Sequence, residues 1–455
     1  MSAGDTPDRP EIFVIPREGD RFYLYAPLRR RLAVVNRAAV RAVARALDGL
    51  NPEPGTDALL ARLQAEGLLG GSEPRMPRAP REYAFRPIEV TLFPTSRCNL
   101  RCRYCYADAG RKSVDMAWPV AEAAIELVAR NAGLLGSSRF GVGFHGGGEP
   151  LSAWELVERA VAHARRRADD LGLRADVYAA TNGLLSPARR KMVAKSFTSV
   201  SVSLDGPPDV QDHNRPRVSG RGSYATVRST LKYFDDVGFQ YGIRATVTRG
   251  TVARLVEIVE HLHAEFRFSW LHVEPVWDCG RCATTGEVPP THQAFAEHFK
   301  AAAARGRELG VTLHYSGARL DTLTAKYCGA PGEGFSVLPE GVVTSCYEVT
   351  EVSDPRATTF HYGRYDPTTS AFVFDERRLM ALRGLSVDAF GFCGDCFARW
   401  HCAGDCLSKV FEQSGGPIHE GSPRCGLNRA LTTAALDDLV IGACKEVDGV
   451  YARAP

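Results

Sequence analysis

Short apolar runs alternate with longer stretches of helical period through the middle of this chain, and its two ends follow different rules. Runs at 88–93, 140–145, 176–180, 199–204, 241–247 and 270–275 read as strands, with helical sequence such as AWPVAEAAIELVARNAG between them. Six such units predict a parallel sheet curled into a partial (β/α)6 barrel of the open α/β kind. In barrels of this type the reactive groups stand at the C-terminal ends of the strands. Before this region, IFVI, FYLY and LAVV are separated by the turn-like PREGD and by APLRRR, which predicts a small antiparallel sheet. Asn36 can cap a helix over residues 37–47 that Gly49 ends, and a second helical pattern covers 56–66. GGSEPRMPRAP, at 70–80, is rich in Gly and Pro and reads as a linker. From about residue 300 the periodicity weakens and cysteines crowd together, the mark of a segment held more by metal than by a core. The expected division is a winged-helix-like α+β domain at 1–69, a linker at 70–85, the barrel at 86–300 and a cysteine-rich domain at 301–455.

Composition narrows the function classes. The chain has 455 residues, 44% hydrophobic and 24% charged, as expected for two or three globular domains. A net charge of +3 points to neither nucleic acid nor an anionic membrane as partner, and the runs at Arg29, Arg30, Arg31 and at Arg165, Arg166, Arg167 read as solvated faces. The opening MSAGDTPDRPEIFV lacks a basic start followed by an apolar run, and no stretch approaches the roughly 18 apolar residues of a membrane span. A cytoplasmic address is therefore expected. In a reducing compartment, thirteen cysteines point to metal or redox chemistry rather than disulfides, although the isolated Cys444 reads equally well as a buried thiol.

The densest signal is CNLRCRYC, which spaces Cys98, Cys102 and Cys105 as CxxxCxxC just after the first barrel strand. A [4Fe–4S] cluster takes one thiolate per iron, so three cysteines leave one iron open to another ligand. Zinc competes for closely spaced cysteines, but structural zinc is four-coordinate and favours paired CxxC clips, which this motif does not resemble. With these residues the chain resembles the radical S-adenosylmethionine (SAM) enzymes. HGGGEP, from His145 to Pro150 after the second strand, matches that family's second mark.

The resemblance implies that SAM chelates the open iron and is cleaved to a 5′-deoxyadenosyl radical that abstracts a substrate hydrogen. It places Gly147, Gly148, Glu149 and Pro150 against the SAM amino group, where glycine lets the backbone approach and Glu149 supplies or orders an acceptor. By the same resemblance Tyr104 lies near adenine. ATNG, SVSLDG and IRATVTR match strand-end patterns of the family, in which Ser203 and Arg244 would contact the SAM ribose or carboxylate.

The C-terminal cysteines resemble the SPASM module, which carries two auxiliary clusters, making three [4Fe–4S] clusters in all. That pattern assigns Cys393, Cys396, Cys402 and Cys425 to one cluster and Cys328, Cys346 and Cys406 to the other. The second set is one ligand short, since residues 329–345 hold no cysteine. WDCGRC offers Cys279 and Cys282, which could close that cluster, touch substrate or form a zinc clip.

Enzymes resembling this combination mostly modify peptides or proteins. They install thioether or carbon–carbon crosslinks in ribosomally made peptides, or oxidise a sulfatase cysteine or serine to formylglycine. The N-terminal segment resembles a peptide-recognition element that binds a leader peptide as an added strand, although two helices are evident where that element generally has three. Sulfatase-maturing enzymes carry an aspartate base just after the second early SPASM cysteine; here Tyr347 and Glu348 follow Cys346. Tyrosine, with an ordinary pKa of about 10, is a poor base. The expectation is a peptide maturase that forms an oxidative crosslink, with Tyr347, Glu348 and Asp278 as base candidates and flavodoxin or ferredoxin as electron donor. The readings set against it are a sulfatase-maturing type and, from another class, a non-enzymatic metal-binding or electron-transfer protein.

Overall fold

The computed structural model describes residues 11–72, 74–76, 84–416, 420–446 and 451–453. Three antiparallel strands, β1 (Phe13–Pro16), β2 (Phe22–Ala26) and β3 (Arg31–Val35), form the small sheet expected near the N-terminus. Helices Arg37–Leu47 and Asp57–Ala65 cover one face, burying Leu24, Ala33, Val43 and Leu63 together. Asn36 caps the first, its Oδ1 accepting from the Ala39 N–H at 2.9 Å. Both helices match the sequence pattern closely.

The sheet's other face is also buried. Ile15, Tyr23, Tyr25 and Leu32 pack with Leu436 of the helix Cys425–Glu446. Asp437 accepts from Arg17 and from the Tyr23 hydroxyl, at 2.5 and 2.7 Å. The Tyr25 hydroxyl meets His401 Nε2 at 2.5 Å, while His401 Nδ1 lies 3.0 Å from each of the Arg319 and Thr322 carbonyl oxygens. Two carbonyls can only accept, so Nδ1 carries the proton and Nε2 accepts from the tyrosine.

The barrel strands are β4 (Glu89–Leu92), β5 (Arg139–Phe144), β6 (Arg174–Thr181), β7 (Ser199–Ser203), β8 (Tyr241–Val247) and β9 (Leu271–Pro275). They pair in parallel and in chain order, within two residues of the expected bounds. The sheet does not close. A two-residue strand β10 (Leu313–His314) extends it beyond β9, and β11 (Ser336–Val337) pairs in parallel with β4. From β11 it continues antiparallel through β12 (Val342–Thr344), β13 (His361–Asp366) and β14 (Ala371–Phe374). Part of the cysteine-rich segment is thus an extension of the barrel sheet, which the fading periodicity beyond 300 concealed. The helix His292–Glu308 runs through residue 300, where the sequence pattern placed a boundary. A last strand, β15 (Tyr451–Arg453), pairs antiparallel with β3.

A parallel sheet covered on both sides usually reads as continuous apolar runs. Here the strands alternate. Along β6, Ala175, Val177, Ala179 and Thr181 are buried while Asp176, Tyr178 and Ala180 are half-buried, and β7 and β8 follow suit with Ser201, Ser203 and Arg244 on the open side. The outer face packs on the helices and the inner face lines an accessible lumen. Among the described residues no helix is long and apolar enough to cross a membrane.

Replacing Tyr25 with Phe leaves His401 Nε2 without its donor in a buried seat, a loss of about 1–2 kcal/mol. Faster amide exchange in β2 and around residues 399–402, with the barrel strands unchanged, is the expected result.

Candidate functional site

The CxxxCxxC loop follows β4 and is held from three sides. Arg101 and Arg103 donate their N–H groups to the Pro216 and Asn214 carbonyls at 2.7 and 2.9 Å, and the Cys105 N–H reaches the Cys102 carbonyl at 3.3 Å. Two thiols accept from the loop's own backbone, Cys98 Sγ from Leu100 N at 3.4 Å and Cys105 Sγ from Ala109 N at 3.5 Å. Amide-to-sulfur bonds of this kind stabilise thiolates that ligate iron.

The HGGGEP turn lies against this loop. The Glu149 N–H donates to the Arg97 carbonyl at 2.8 Å, and a Cβ at Gly148 would overlap the carbonyl oxygens of Thr95 and Arg97. Only glycine permits that approach. The Glu149 carboxylate turns inward and accepts from Leu151 N, Thr181 Oγ1 and Asn182 N at 3.1, 2.8 and 2.7 Å. Burial nonetheless pushes its pKa up to about 7, the three hydrogen bonds opposing the shift. Glu149 therefore orders the Gly146–Gly148 backbone, and Pro150 opens the short 3-10 turn that follows. Gly147 faces Thr350 from the cysteine-rich segment. A cavity of 330 Å³ opens here, lined by Phe93, Asp108, Arg111, Gly147, Thr350 and Glu351.

Tyr104 turns into the protein with 8% exposure, its hydroxyl donating to Asp205. Asp205 also pairs with Arg215 at 3.0 Å and accepts from Asn214 Nδ2 and Thr246 N, each at 3.0 Å, while the Arg215 guanidinium lies 5.2 Å from the Tyr104 ring centroid. Ser203 and Arg244 are direct partners in the β7–β8 register and share the open side of the sheet. Arg244 Nη1 lies 3.2 Å from His272 Nδ1, and His272 Nε2 continues to Glu274 and Ser316 at 3.0 and 2.9 Å.

The three base candidates separate. Tyr347 stands beside the lumen with its hydroxyl 2.9 Å from Thr91 Oγ1 and its ring centroid 4.7 Å from that of His145. Burial raises its pKa, which disfavours the phenolate. Glu348 pairs with Lys409 at 3.4 Å and its pKa is lowered, its burial being outweighed by Lys409, Ser408 and Arg356. Asp278 is exposed and lines a different cavity, of 630 Å³, with Arg249, Trp277, His292, Glu412 and Arg424.

The seven C-terminal cysteines fall into two neighbourhoods. Cys393 interacts electrostatically with Cys396 and Cys425, and Cys402 with Cys425. Asn428 Nδ2 donates to Cys402 Sγ at 3.1 Å and Ser422 N to Cys425 Sγ at 3.3 Å. Cys328, Cys346 and Cys406 form the second neighbourhood, and Ala330 N donates to Cys328 Sγ at 3.4 Å. Cys279 and Cys282 lie on the loop after β9, which packs on the CxxxCxxC loop through Arg281. The side chain of Cys444 lies outside the described residues.

Residues 92–264 match the family described as the Radical SAM superfamily. The chain carries a radical SAM domain. Mycofactocin maturase MftC of Mycolicibacterium smegmatis is 25% identical over 354 residues, 74% of this chain and 82% of that protein. The serine-type anaerobic sulfatase-maturating enzyme of Klebsiella aerogenes is 22% identical over 369 residues, 77% of this chain and 85% of that protein. Among solved structures, native anSMEcpe with bound AdoMet and Cp18Cys peptide shares the fold with a TM-score of 0.62 at 19% identity, over 79% of this chain and 100% of that one.

The donor set suits iron–sulfur clusters. No group of three or more His, Cys, Asp or Glu side chains among the described residues is placed to hold a single metal ion. A cubane asks for a wider arrangement, with each thiolate on its own iron. Burial raises the thiol pKa of Cys98 to about 11 and of Cys102 to about 12, so both are protonated before metal arrives and release protons on binding.

Sequence reasoning missed Asp205, Arg215 and Asn182. Asp205 stood inside SVSLDG, quoted only as a strand end, and a carboxylate immediately after a barrel strand was the available signal. His145 was quoted with its motif but given no role. Its Nδ1 is buried without a partner among the described residues, and burial, with Arg244 adding to it, lowers its pKa to about 4, so it is neutral near pH 7.

Gly148→Ala should push the turn off the cysteine loop and cost the reconstituted enzyme about four of its irons, read by iron and sulfide analysis. Glu149 gives a pH signature. The folded chain holds this proton up to about pH 7, whereas the unfolded chain releases it near 4.5, so stability falls as pH rises through that window, by on the order of 3 kcal/mol. Thermal unfolding of the iron-free chain should show a decline from about pH 4.5 to about pH 7 that is shallower in Glu149→Gln.

Proposed function

We propose that this radical SAM enzyme is a peptide maturase that oxidises a ribosomally made peptide and joins two of its residues by a thioether or carbon–carbon bond. The observation that carries the reading is the meeting, at one end of the lumen, of the CxxxCxxC loop, the HGGGEP turn and the Cys346–Tyr347 segment of a second cysteine neighbourhood. Cys98, Cys102 and Cys105 would hold a [4Fe–4S] cluster that with SAM would supply hydrogen-abstracting radical chemistry, and the two C-terminal cysteine neighbourhoods would hold auxiliary clusters able to serve as an electron sink.

The chain's own residues account for the rest. Glu149 fixes the turn whose backbone faces the SAM amino group, and Ser203 with Arg244 offers a hydroxyl and a cation from adjacent strand ends. Tyr106 donates its hydroxyl to the Gly146 and Tyr347 carbonyls at 3.2 and 3.3 Å, tying the turn to the second neighbourhood. Tyr347 forms the aromatic wall of the lumen with Phe93 and His145. Its raised pKa and the Lys409 partner of Glu348 turn both away from the role of free base. His145, neutral and buried at Nδ1 without a partner among the described residues, completes that wall. Tyr347 in the position where the resemblance places the aspartate base of sulfatase-maturing enzymes favours the crosslinking reading over that type.

The N-terminal sheet is assigned to holding the peptide's leader, and flavodoxin or ferredoxin to electron supply. The Cp18Cys peptide on the structurally similar anSMEcpe supports a peptide as substrate.

The test is anaerobic incubation of the reconstituted enzyme with SAM, a reductant and short peptides encoded beside its gene, followed by mass spectrometry. A peptide lighter by about 2 Da per event, together with 5′-deoxyadenosine and no reaction with an aldehyde probe, is expected of a crosslink. An aldehyde-reactive product would place the enzyme with the formylglycine formers instead. Replacing Cys98, Cys102 and Cys105 by alanine should abolish 5′-deoxyadenosine formation; undiminished SAM cleavage would overturn the assignment.

A further inference from the structure

The neighbourhood of Cys328, Cys346 and Cys406 is one thiolate short of closing a cubane, and the chain between its first two members supplies none. The loop after β9 comes close to it. Trp277 Nε1 donates to Glu412 Oε2 at 2.6 Å, and the Lys409 ammonium lies 5.7 Å from the Trp277 ring centroid. Both partners belong to the helix Leu407–Ser414, whose N-cap is Cys406 itself. Two residues beyond Trp277, the Cys279 N–H closes a tight turn onto the Trp277 carbonyl at 2.9 Å.

The far side of the turn is anchored independently. Arg281 donates to the Asp108 carboxylate and to the Cys102 and Ala109 carbonyls at 2.9, 2.9 and 2.8 Å. Gly280, at φ +55°, leaves no room for a Cβ against the Cys105 carbonyl. The turn is a wedge between the CxxxCxxC loop and the helix that begins at Cys406.

The two cysteines of this wedge face different surroundings. Cys282 donates its thiol to the Trp277 carbonyl at 3.6 Å and is buried with Tyr104, Val276 and Cys102, on the barrel side. Cys279 interacts electrostatically with Glu348, Glu412, Cys282 and Lys409, and Glu412 and Lys409 belong to the helix that Cys406 caps. Glu348 also acts electrostatically on Cys328, on Cys346 and on Cys406. One carboxylate, itself paired with Lys409 at 3.4 Å, thus acts on all four thiols.

We propose that Cys279, delivered from the barrel on the loop after β9, is the fourth ligand of the cluster held by Cys328, Cys346 and Cys406, and that Cys282 is not a ligand. This rests on the iron–sulfur reading above. Ligation exchanges the thiol proton for an iron–sulfur bond with no change of oxidation state. It closes the cluster, so this centre accepts an electron from the substrate and has no iron free to bind a substrate thiol. It also covalently links the barrel to the cysteine-rich segment.

The test uses the full-length chain with Cys98, Cys102 and Cys105 replaced by alanine, which removes the SAM-binding cluster and leaves the auxiliary ones. After anaerobic reconstitution this parent should hold about eight irons. Its reduced electron paramagnetic resonance spectrum should ignore added imidazole or 2-mercaptoethanol. Adding Cys279→Ala should open one iron. The spectrum then shifts with either ligand, and mild oxidation releases about one iron per chain with a three-iron signal. Cys282→Ala should match the parent. Differential alkylation supplies a check that needs no variant, since iodoacetamide should label Cys279 in the iron-free chain and not in the loaded one. A parent that already responds to the thiol, or a shift produced by Cys282→Ala and not by Cys279→Ala, overturns the proposal. A parent without iron and sulfide overturns the cluster reading itself.

Discussion

The buried carboxylate of Glu149 ties together three chain segments that carry separate parts of the reactive end. Its side chain binds the end of β6 through Thr181 and Asn182, and its backbone N–H binds the cysteine loop through Arg97. Asn182 reaches on to Asn99, between the first two cysteines, at 2.7 Å. Taking a carboxylate out of water is unfavourable unless its lone pairs are satisfied, and three donors aimed at it do that only in one arrangement of the segments. Desolvation thereby becomes a device for fixing geometry.

Charged groups buried beside cysteines recur through the structure. Asp205 and Arg215 lie behind Cys102. Arg424, buried with Asp405 and Glu274, joins the chain next to Cys406 and Cys425 to strand β9 of the barrel. Glu348 and Lys409 occupy the neighbourhood of Cys346 and Cys406. Pairs of this kind return little net stability, because desolvation consumes most of their attraction. Their effect is positional, since removing one member strands the other, and the paired arrangement is the one in which the cysteines face one another.

Most of the barrel was legible in the sequence because each strand carries a compact apolar run, and the helices between them are long enough to show their period. The motif cysteines and the HGGGEP turn were legible because their chemistry demands fixed spacing. The extension of the sheet through β11 to β14 was not, since strands of two or three residues such as Ser336–Val337 carry no periodicity and are defined only by the partner they meet. Nor was the inward turn of Tyr104, which depends on Asp205, a hundred residues away. Spacing could not distinguish Cys279 from Cys282 either. Their difference is three-dimensional, one facing the helix that begins at Cys406 and the other the barrel.

The first strands of the chain rest on a seat made very late in it. Tyr25 meets His401 across 376 residues of sequence, Glu11 receives the indole N–H of Trp400, and Arg17 finds Asp437 across 420. As the chain is synthesised, the outer face of that sheet has nothing to cover it until the CGDCFARWHCAGDC loop and the helix after it have emerged. Contacts of such long range form last and carry the full entropy of closing the loop between them. Trp400 and His401 lie between Cys396 and Cys402, so whatever sets the shape of that loop also decides when, and how firmly, the N-terminal sheet comes to rest.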